Sequence, residues 1–342
     1  SASGGTGNVV KYYYSKDNGS NYVESTSSSY TFSNLTSDAT FYVKVYVKDN
    51  NNRISSVSST SIKTKSNSLA SYIKSKYTSQ GANGLYYHDS SLTNGANDNS
   101  YRFAGASDQV NNYVCFGSTQ SPCPADNLYR IIGVFDNKVG ENQTEQRVKL
   151  IKSTSVGNKA WNSNNKNTWS TSSLNTYLNN DFLNTFDVGT KGKIADTTWK
   201  VGGNTGANIY NQPAKTAYQN EIVNPVPGST SSNGETESSA KVGLIYASDY
   251  GFAAAPSAWT STLYDYDGEA IKSANWMFLG AKEWTISRSA DNSSYAFTVI
   301  NTGRVRYYNA NNAFAVRPVF SLSSSVNYAS GSGTAADPIS IN

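Results

Sequence analysis

The sequence has very little histidine, sulfur or charge. Among 342 residues there are one His, one Met and two Cys, and only 15% are Asp, Glu, Lys or Arg. So few His and Cys residues cannot supply the ligands of a usual zinc site or a His-rich iron centre. No run of about 18 apolar residues occurs, which excludes a membrane-spanning helix. The net charge of +4 is weak and scattered, whereas a nucleic-acid-binding protein carries a clustered basic patch.

The sequence is instead rich in polar residues that carry no charge. Its mean hydropathy is −0.53 although few residues are charged, because Asn and Ser are abundant. Aromatic residues make up 13%, led by 25 Tyr. The apolar share of 37% is enough for a core but not for buried parallel sheets. This composition indicates a β-rich extracellular protein on the surface of a cell or a virion.

The chain shows two patterns that predict two domains. Residues 1–65 alternate in polarity with the two-residue period of strands, most clearly in TFYVKVYVK (Thr40 to Lys48), and predict an all-β sandwich. Leu69, Ile73 and Tyr77 then recur at helical spacing. We therefore predict a second, α+β domain over residues 66–342. Because Ser1 follows neither an initiator Met nor a signal peptide, we expect missing upstream sequence and anchoring through segments outside the chain.

Within the second domain, the periodicity places several elements. Tyr129 to Phe135 and Arg147 to Ser153 predict a β-hairpin, and Ser173 to Phe186 predicts an amphipathic helix. Short strands are predicted between Glu283 and Leu322. The Ser- and Gly-rich stretch from Pro227 to Ser239 predicts a loop. A few helices with many short antiparallel strands are typical of an α+β domain.

The two cysteines and the single histidine are the first candidates for chemistry. Cys115 and Cys123 enclose a seven-residue loop, and in a secreted domain they favour a disulfide over free thiols or a metal or catalytic role. His88 beside Asp89 could act as a general base, but a structural hydrogen bond is the favoured interpretation. The motifs GxSxG, HExxH and GxxxxGK[ST] are absent.

Carboxylates and tryptophans give weaker signals. Asp265, Asp267 and Glu269 alternate in YDYDGE and could begin a calcium loop, although a solvated turn is favoured because further ligands are missing. Trp276 and Trp284 could stack on sugar rings, but each lies in an apolar run, which favours the core. We expect no cofactor, with calcium as the alternative.

The segment from Leu35 to Val47 resembles a fibronectin type III domain. Leu35 and Phe41 occupy the places of the Leu and the aromatic residue that this family has at one strand corner, although Phe41 lacks the usual tyrosine hydroxyl. The resemblance covers fewer residues than a whole domain, so we expect a first strand to be missing. It implies that residues 1–65 serve as a spacer, with direct ligand contact as the alternative.

The second domain resembles surface domains of Firmicutes and their gut relatives. It also resembles the C-type-lectin-like fold in the form shared by formylglycine-generating enzymes and by variable proteins of diversity-generating retroelements. The resemblance spans most of residues 80–342. The motifs that carry it are GLYYHD (84–89), NYVCFG (112–117), CPADNLYRIIGVF (123–135), VKLIK (148–152), SLNTYLNNDFL (173–183), VGLIYASDYGFA (242–253), EWTISRS (283–289), FAVRPVFSLSSSV (314–326) and GSGTAADPI (331–339).

This resemblance implies a binding face on the late strands and loops. In the variable proteins these exposed residues contact diverse partners, and the corresponding stretch here is residues 288–314, where Tyr, Ser and Asn suit such contacts. Arg304 and Arg306 share one strand face, which suits an anionic group, whereas Arg317 is expected to be buried. The predicted ligand-binding residues are Arg288, Asp291, Asn292, Tyr295, Asn301, Arg304, Arg306, Tyr307, Tyr308, Asn309, Asn311 and Asn312.

The function expected from these observations is that of a non-enzymatic adhesin or receptor-binding protein. Formylglycine-generating enzymes use a reactive Cys pair in their C-terminal part, and no Cys follows Cys123 here, so their activity is not expected. The expected partner is a glycan or protein of a host or bacterial surface, with neither nucleic acid binding nor membrane insertion. The alternatives are a structural module of a surface fibre or phage tail without a specific ligand, and a carbohydrate-active hydrolase.

Overall fold

A computed structural model describes residues 7–33, 35–204, 209, 211–226 and 234–342. The chain divides into two compact units, with the boundary between Asn67 and Ser68. The division predicted from the sequence lies two residues earlier. The protein is β-rich with few helices, since 34% of residues are in strands and 19% are helical.

The first unit contains four strands in one antiparallel sheet of order β2-β1-β3-β4. A sandwich was predicted here, but residues 7–33 and 35–67 contain only this one sheet. Phe41 and the valines that follow it at alternate positions are half-buried. The strands are β1 (Val9–Ser15), β2 (Val23–Ser25), β3 (Thr40–Asp49) and β4 (Ser58–Lys63).

The second unit contains the other strands and all the α-helices of the described chain. The strands are β5 (Leu85–Tyr87), β6 (Tyr101–Phe103), β7 (Tyr113–Cys115), β8 (Leu128–Gly140), β9 (Gln143–Lys152), β10 (Asn158–Ala160), β11 (Thr197–Lys200), β12 (Gly203–Asn204), β13 (Glu237–Ala240), β14 (Val242–Gly243), β15 (Glu283–Ser289), β16 (Tyr295–Val299), β17 (Val305–Asn309), β18 (Ala313–Ala315), β19 (Val319–Ser321), β20 (Tyr328–Ser330) and β21 (Ser340–Ile341). The helices are α1 (Leu69–Ser75), α2 (Ser173–Tyr177), α3 (Val188–Gly192), α4 (Ala214–Tyr218), α5 (Ala247–Ala253) and α6 (Glu269–Ser273).

Two larger sheets organise this unit. The seven-stranded sheet has the order β14-β19-β9-β8-β6-β5, with β7 also paired to β8, and the predicted hairpin is its β8–β9 pair. The six-stranded sheet has the order β10-β18-β15-β16-β17, with β12 beside β15. Strands β11 and β13 form a separate pair, as do β20 and β21. Strand β17 therefore lies at an edge of the six-stranded sheet, which contains the predicted binding segment.

The prediction of a loop from Pro227 to Ser239 is partly wrong. Residues 227–233 lie outside the described part of the chain, but Glu237–Ala240 forms β13. Its register with β11 places Trp199 opposite Ser238. A strand of Glu, Ser and Ala has no apolar alternation, so its pairing with β11 had no signature in the sequence.

The predicted helices begin after serine caps. The Ser68 hydroxyl oxygen accepts the Ser71 backbone N–H at 3.2 Å, and Leu69 and Ile73 of α1 are buried. The hydroxyl oxygen of Ser172 accepts a backbone N–H at the start of α2 in the same way, satisfying a donor that the helix itself leaves free. The α2 helix continues as a π-helical turn (Leu178–Phe182), which completes most of the predicted helical span.

The core of the second unit is rich in aromatic side chains. All six Trp lie in this unit and are at most 3% exposed, so the core placement predicted for Trp276 and Trp284 is confirmed. Every residue of α5 is buried as well. The carboxylate of buried Glu221 accepts the backbone N–H groups of Ala247 and Ser248 at 3.2 and 3.0 Å, which satisfies the first turn of α5. No helix of the described residues is long and apolar enough to cross a membrane.

Candidate ligand-binding site

The predicted binding segment forms the β16–β17 hairpin and the turns around it. Gly303 lies in the turn between the two strands with φ +96°, a conformation that favours glycine. A Cβ at this position would lie 2.5 Å from the Tyr266 carbonyl oxygen. The Gly303 carbonyl in turn accepts the Tyr250 hydroxyl at 2.9 Å. The turn that presents Arg304 is therefore held against the core.

The prediction that Arg288 is an exposed contact residue is wrong. It lies on β15 and is 0% exposed. Its Nε donates to the Val201 carbonyl at 2.7 Å, and its Nη2 donates to the Glu235 carbonyl at 2.8 Å. Because all seven residues of β15 are buried, this arginine ties backbone segments together inside the fold and has no face for a ligand.

Arg304 and Arg306 do share one face, as the alternation predicts. Their guanidinium carbons lie 4.4 Å and 5.5 Å from the ring centroid of Tyr264, so both stack on the same aromatic ring. Arg304 also forms an ion pair with Asp267, in which Nε donates to Oδ2 at 2.7 Å. The hydrogen bond to Asp267 raises the pKa of Arg304, which keeps the guanidinium charged. Tyr264 had not been singled out from the sequence.

The adjacent tyrosines point to opposite faces of β17. Tyr308 packs edge-on against Phe314, with ring centroids 5.1 Å apart, and the Lys282 ammonium lies 4.4 Å from the Tyr308 ring centroid. Tyr307 instead stacks on Tyr295 at 4.7 Å. Tyr308 therefore joins the arginine face, and Tyr307 and Tyr295 form a second pair behind it.

We call the group of Tyr264, Lys282, Arg304, Arg306, Tyr308 and Phe314 the β17 face. All of these side chains are half-buried, so each combines a fixed position with some exposed surface. The group holds three cations, and Asp267 is the acid paired with one of them. Such a combination of basic groups and aromatic rings suits a ligand that carries an anionic group.

The predicted asparagines lie at the turns, apart from the β17 face. Asn301 is exposed at the β16–β17 turn. Asn309 and Asn311 are exposed at the other end of β17, where the Asn312 side-chain amide donates to the Asn309 carbonyl at 2.9 Å. The predicted residues are thus not one contiguous patch, because strand alternation and the hairpin divide them.

Asp291 and Asn292 belong to the turn between β15 and β16. Asp291 is exposed and accepts the Ser289 hydroxyl, and Asn292 is half-buried. Behind them, the side-chain amide of fully buried Asn167 donates to the carbonyls of Ser289, Asn292 and Tyr295 at 2.8–2.9 Å. Asn167 therefore shapes this turn from the core, a role that the sequence pattern did not reveal.

The carboxylates of the YDYDGE motif do not converge. The side chain of Asp265 accepts the Thr262 hydroxyl at 2.6 Å, Asp267 pairs with Arg304, and Glu269 pairs with Lys272. In the part of the chain that the structure describes, no group of three His, Cys, Asp or Glu side chains could hold a metal ion. Each carboxylate thus has its own partner in a turn.

His88 is a core residue. It is 0% exposed, and its Nδ1 accepts the Ala96 backbone N–H at 3.0 Å. The Asp89 carboxylate is turned to Ser91, so the histidine–carboxylate pair considered from the sequence does not form. Burial lowers the pKa of His88 to about 3. This imidazole is therefore neutral, and the structural hydrogen bond that was predicted for it is present.

The predicted disulfide is also present. Cys115 and Cys123 are bonded, and the described residues contain no free cysteine. Cys115 ends β7, so the bond holds the following loop to the seven-stranded sheet.

A known protein family covers the region that contains the β17 face. Residues 145–324 match the model of a domain of unknown function, DUF6273, which is more than half of the chain. The chain belongs to the DUF6273 family. The DUF6273 match includes β15 to β19 and Arg317, whereas the disulfide and the first unit lie outside it. No curated protein and no solved structure matches the chain.

Proposed function

We propose that this DUF6273 protein is a non-enzymatic adhesin or receptor-binding protein of a cell or virion surface. In this proposal the first unit, an incomplete fibronectin type III-like module with one sheet in its described residues, is a spacer for a C-type-lectin-like second unit. The second unit binds a glycan or a protein through the β17 face. The observation that carries the proposal is the stacking of Arg304 and Arg306 on Tyr264, on the same strand face as Tyr308.

The charge of the β17 face specifies the ligand further. Arg304, Arg306 and Lys282 place three positive charges on this face, and Asp267 pairs with Arg304. A planar guanidinium can donate two parallel hydrogen bonds to a carboxylate or sulfate. The aromatic rings of Tyr264 and Tyr308 add contact area that loses little conformational entropy on binding. We therefore expect the ligand to present a carboxylate or a sulfate next to an apolar or ring surface.

The edge position of β17 also supports this proposal. The strand pairs only with β16 among the described strands, and the Gly303 turn is fixed by the core. A binding group on a rigid element needs little reordering when the ligand arrives. The fold-level part of the proposal rests on the motif resemblance and on the β-rich architecture of the second unit.

The test is an array of glycans and surface proteins probed with the purified chain. The glycans include sulfated and carboxylated members together with their desulfated or carboxyl-reduced counterparts. We expect binding to anionic members, its loss on desulfation or reduction, and its loss in Arg306→Gln. The matched control is Arg53→Gln, which removes an exposed arginine from the first unit and should leave binding unchanged.

The array, together with an assay of polysaccharide turnover, separates the alternatives. Absence of any binder above background would overturn the adhesin proposal and favour a structural fibre module. Turnover of a polysaccharide, abolished by a carboxylate-to-amide substitution, would overturn the non-enzymatic part. Binding that persists unchanged in folded Arg306→Gln would remove the ligand from the β17 face.

A further inference from the structure

A second candidate site lies in the same unit, away from the β17 face. A cavity of about 990 Å³ opens among the distal part of the β8–β9 hairpin, β11, the region around α4 and the start of α5. No residue of β15 to β18 is among the described residues that line it. Its size is at the upper end of the range of small-molecule binding sites.

The inner end of the cavity contains four charged side chains in one network. Arg102 donates from Nη2 to Asp98 Oδ2 at 2.6 Å and from Nη1 to Asp249 Oδ1 at 3.3 Å. The Lys149 ammonium donates to Asp249 Oδ2 at 2.5 Å. The side chains of Arg102 and Asp249 are 2% and 3% exposed, and that of Lys149 is 10% exposed. The network carries two positive and two negative charges, so it is neutral as a whole.

The network has hydrogen-bond donors for which the described residues supply no acceptor. An ammonium has three N–H groups, and Asp249 is the one hydrogen-bond acceptor that the described residues give Lys149. The carboxylates, in contrast, are occupied, because Asp98 also accepts from Ser100 and Asp249 also accepts the Tyr246 backbone N–H. Buried donors without acceptors are costly, so the Lys149 end of the cavity favours an oxygen-bearing occupant.

The walls beside these donors are aromatic. The Lys149 ammonium lies 4.8 Å from the Tyr246 ring centroid, 5.5 Å from that of Phe135 and 5.7 Å from that of Trp199. All three of these rings line the cavity, as does that of Tyr218. Aromatic faces next to fixed hydrogen-bond donors suit a flat ligand with C–H groups on its faces and oxygens at its edges.

We propose that this cavity binds a neutral, polyhydroxylated ligand, a hexose unit of a glycan, through the Lys149 donors and the aromatic walls. At the Lys149 end of the cavity, a free anion would add a negative charge beside a buried network that is already neutral, which is unfavourable. An amino acid would bring two charges, whereas the charges of the buried network are already paired with one another. Hydroxyl oxygens accept from Lys149 without changing the charge balance.

The test uses maltotriose, cellotriose, mannotriose and the trimer of N-acetylglucosamine, with trigalacturonic acid as the anionic counterpart. Binding to the full chain is followed by saturation-transfer NMR and by tryptophan fluorescence, because Trp199 lies in the wall. We expect at least one neutral trisaccharide to bind, and to bind more tightly than trigalacturonic acid. Binding of none of the neutral probes, or preference for the anionic one, would overturn the proposal.

Two variants locate the site. Lys149→Met removes the donors and keeps the side-chain length, and Phe135→Ala opens one wall. Lys149→Met should weaken saccharide binding by about tenfold or more, since hydrogen bonds to charged groups are worth at least that factor. Phe135→Ala should weaken it severalfold, because an aromatic contact is lost. Lys76→Met, at an exposed lysine after α1, is the matched control. Unchanged affinity in folded Phe135→Ala would place the saccharide elsewhere, even where Lys149→Met fails to fold.

Discussion

Removing Arg317 should destabilise the second unit strongly. Its Nε donates to Glu283 Oε1 at 2.6 Å, and its Nη2 donates to Glu283 Oε2 at 2.7 Å and to the Met277 carbonyl at 2.6 Å. Both side chains of the ion pair are at most 3% exposed. In Arg317→Met the Glu283 carboxylate remains buried without its partner, which costs about 3–5 kcal/mol. For a unit of this size, we expect a fall in melting temperature of roughly 10 °C.

Tryptophan fluorescence is the suitable probe, because all six Trp belong to the second unit. The control is Lys272→Met, which breaks an ion pair with the exposed Glu269 and should cost less than about 1 kcal/mol. The double variant Arg317→Met/Glu283→Met should recover most of the loss, since no charge is then left unpaired. If the single variant is as stable as Lys272→Met, or the double variant is no more stable than the single one, an unpaired Glu283 carboxylate does not carry this cost.

Other consequences concern acid stability, the disulfide and the β16–β17 turn. Because burial lowers the pKa of His88 to about 3 from 6.5, the unfolded chain binds a proton that the folded chain does not. The free energy of unfolding should therefore decrease as the pH falls below about 6.5. In His88→Asn, the slope of this free energy against pH, measured by urea unfolding, should be smaller by about 1.4 kcal/mol per pH unit; equal slopes in both proteins would contradict this. Reducing Cys115–Cys123 should lower the unfolding free energy by about 2–3 kcal/mol, and reductant should have no effect on the Cys115→Ser/Cys123→Ser variant. Gly303→Ala should lower stability by more than about 1 kcal/mol, because its Cβ would meet the Tyr266 carbonyl; an unchanged melting curve would show that the turn adapts.

Local patterns in the sequence were sufficient for several elements of the fold. Leu69 and Ile73 at helical spacing predicted α1, and two apolar runs predicted the β8–β9 hairpin. The burial of Trp276 and Trp284 also followed, because their neighbours in sequence are apolar, and the burial of Arg317 was implied by the motif FAVRPVFSLSSSV. Each of these predictions rests on residues that are close together in the chain.

What the sequence did not reveal depends on contacts between distant segments. Arg288 was predicted to be exposed, but β15 is covered on both faces, and nothing local distinguishes a buried arginine there from a surface one. The hydrogen bonds of Asn167 span more than 120 residues, and those that join Lys149 and Arg102 to Asp249 span 100 or more. That Arg304 and Arg306 share one face was predicted correctly from strand alternation. Tyr264, on whose ring both stack, lies about 40 residues earlier in the chain.

In the proposed function, the β17 face binds an anionic ligand. The most direct measurement is the dissociation constant of the strongest anionic array ligand, determined by isothermal titration calorimetry for the parent chain, Arg306→Gln and Arg53→Gln. We expect a loss of about tenfold or more in Arg306→Gln, because a charge-assisted hydrogen bond is removed, and no change in Arg53→Gln. Equal dissociation constants for the parent chain and for a folded Arg306→Gln would contradict the claim.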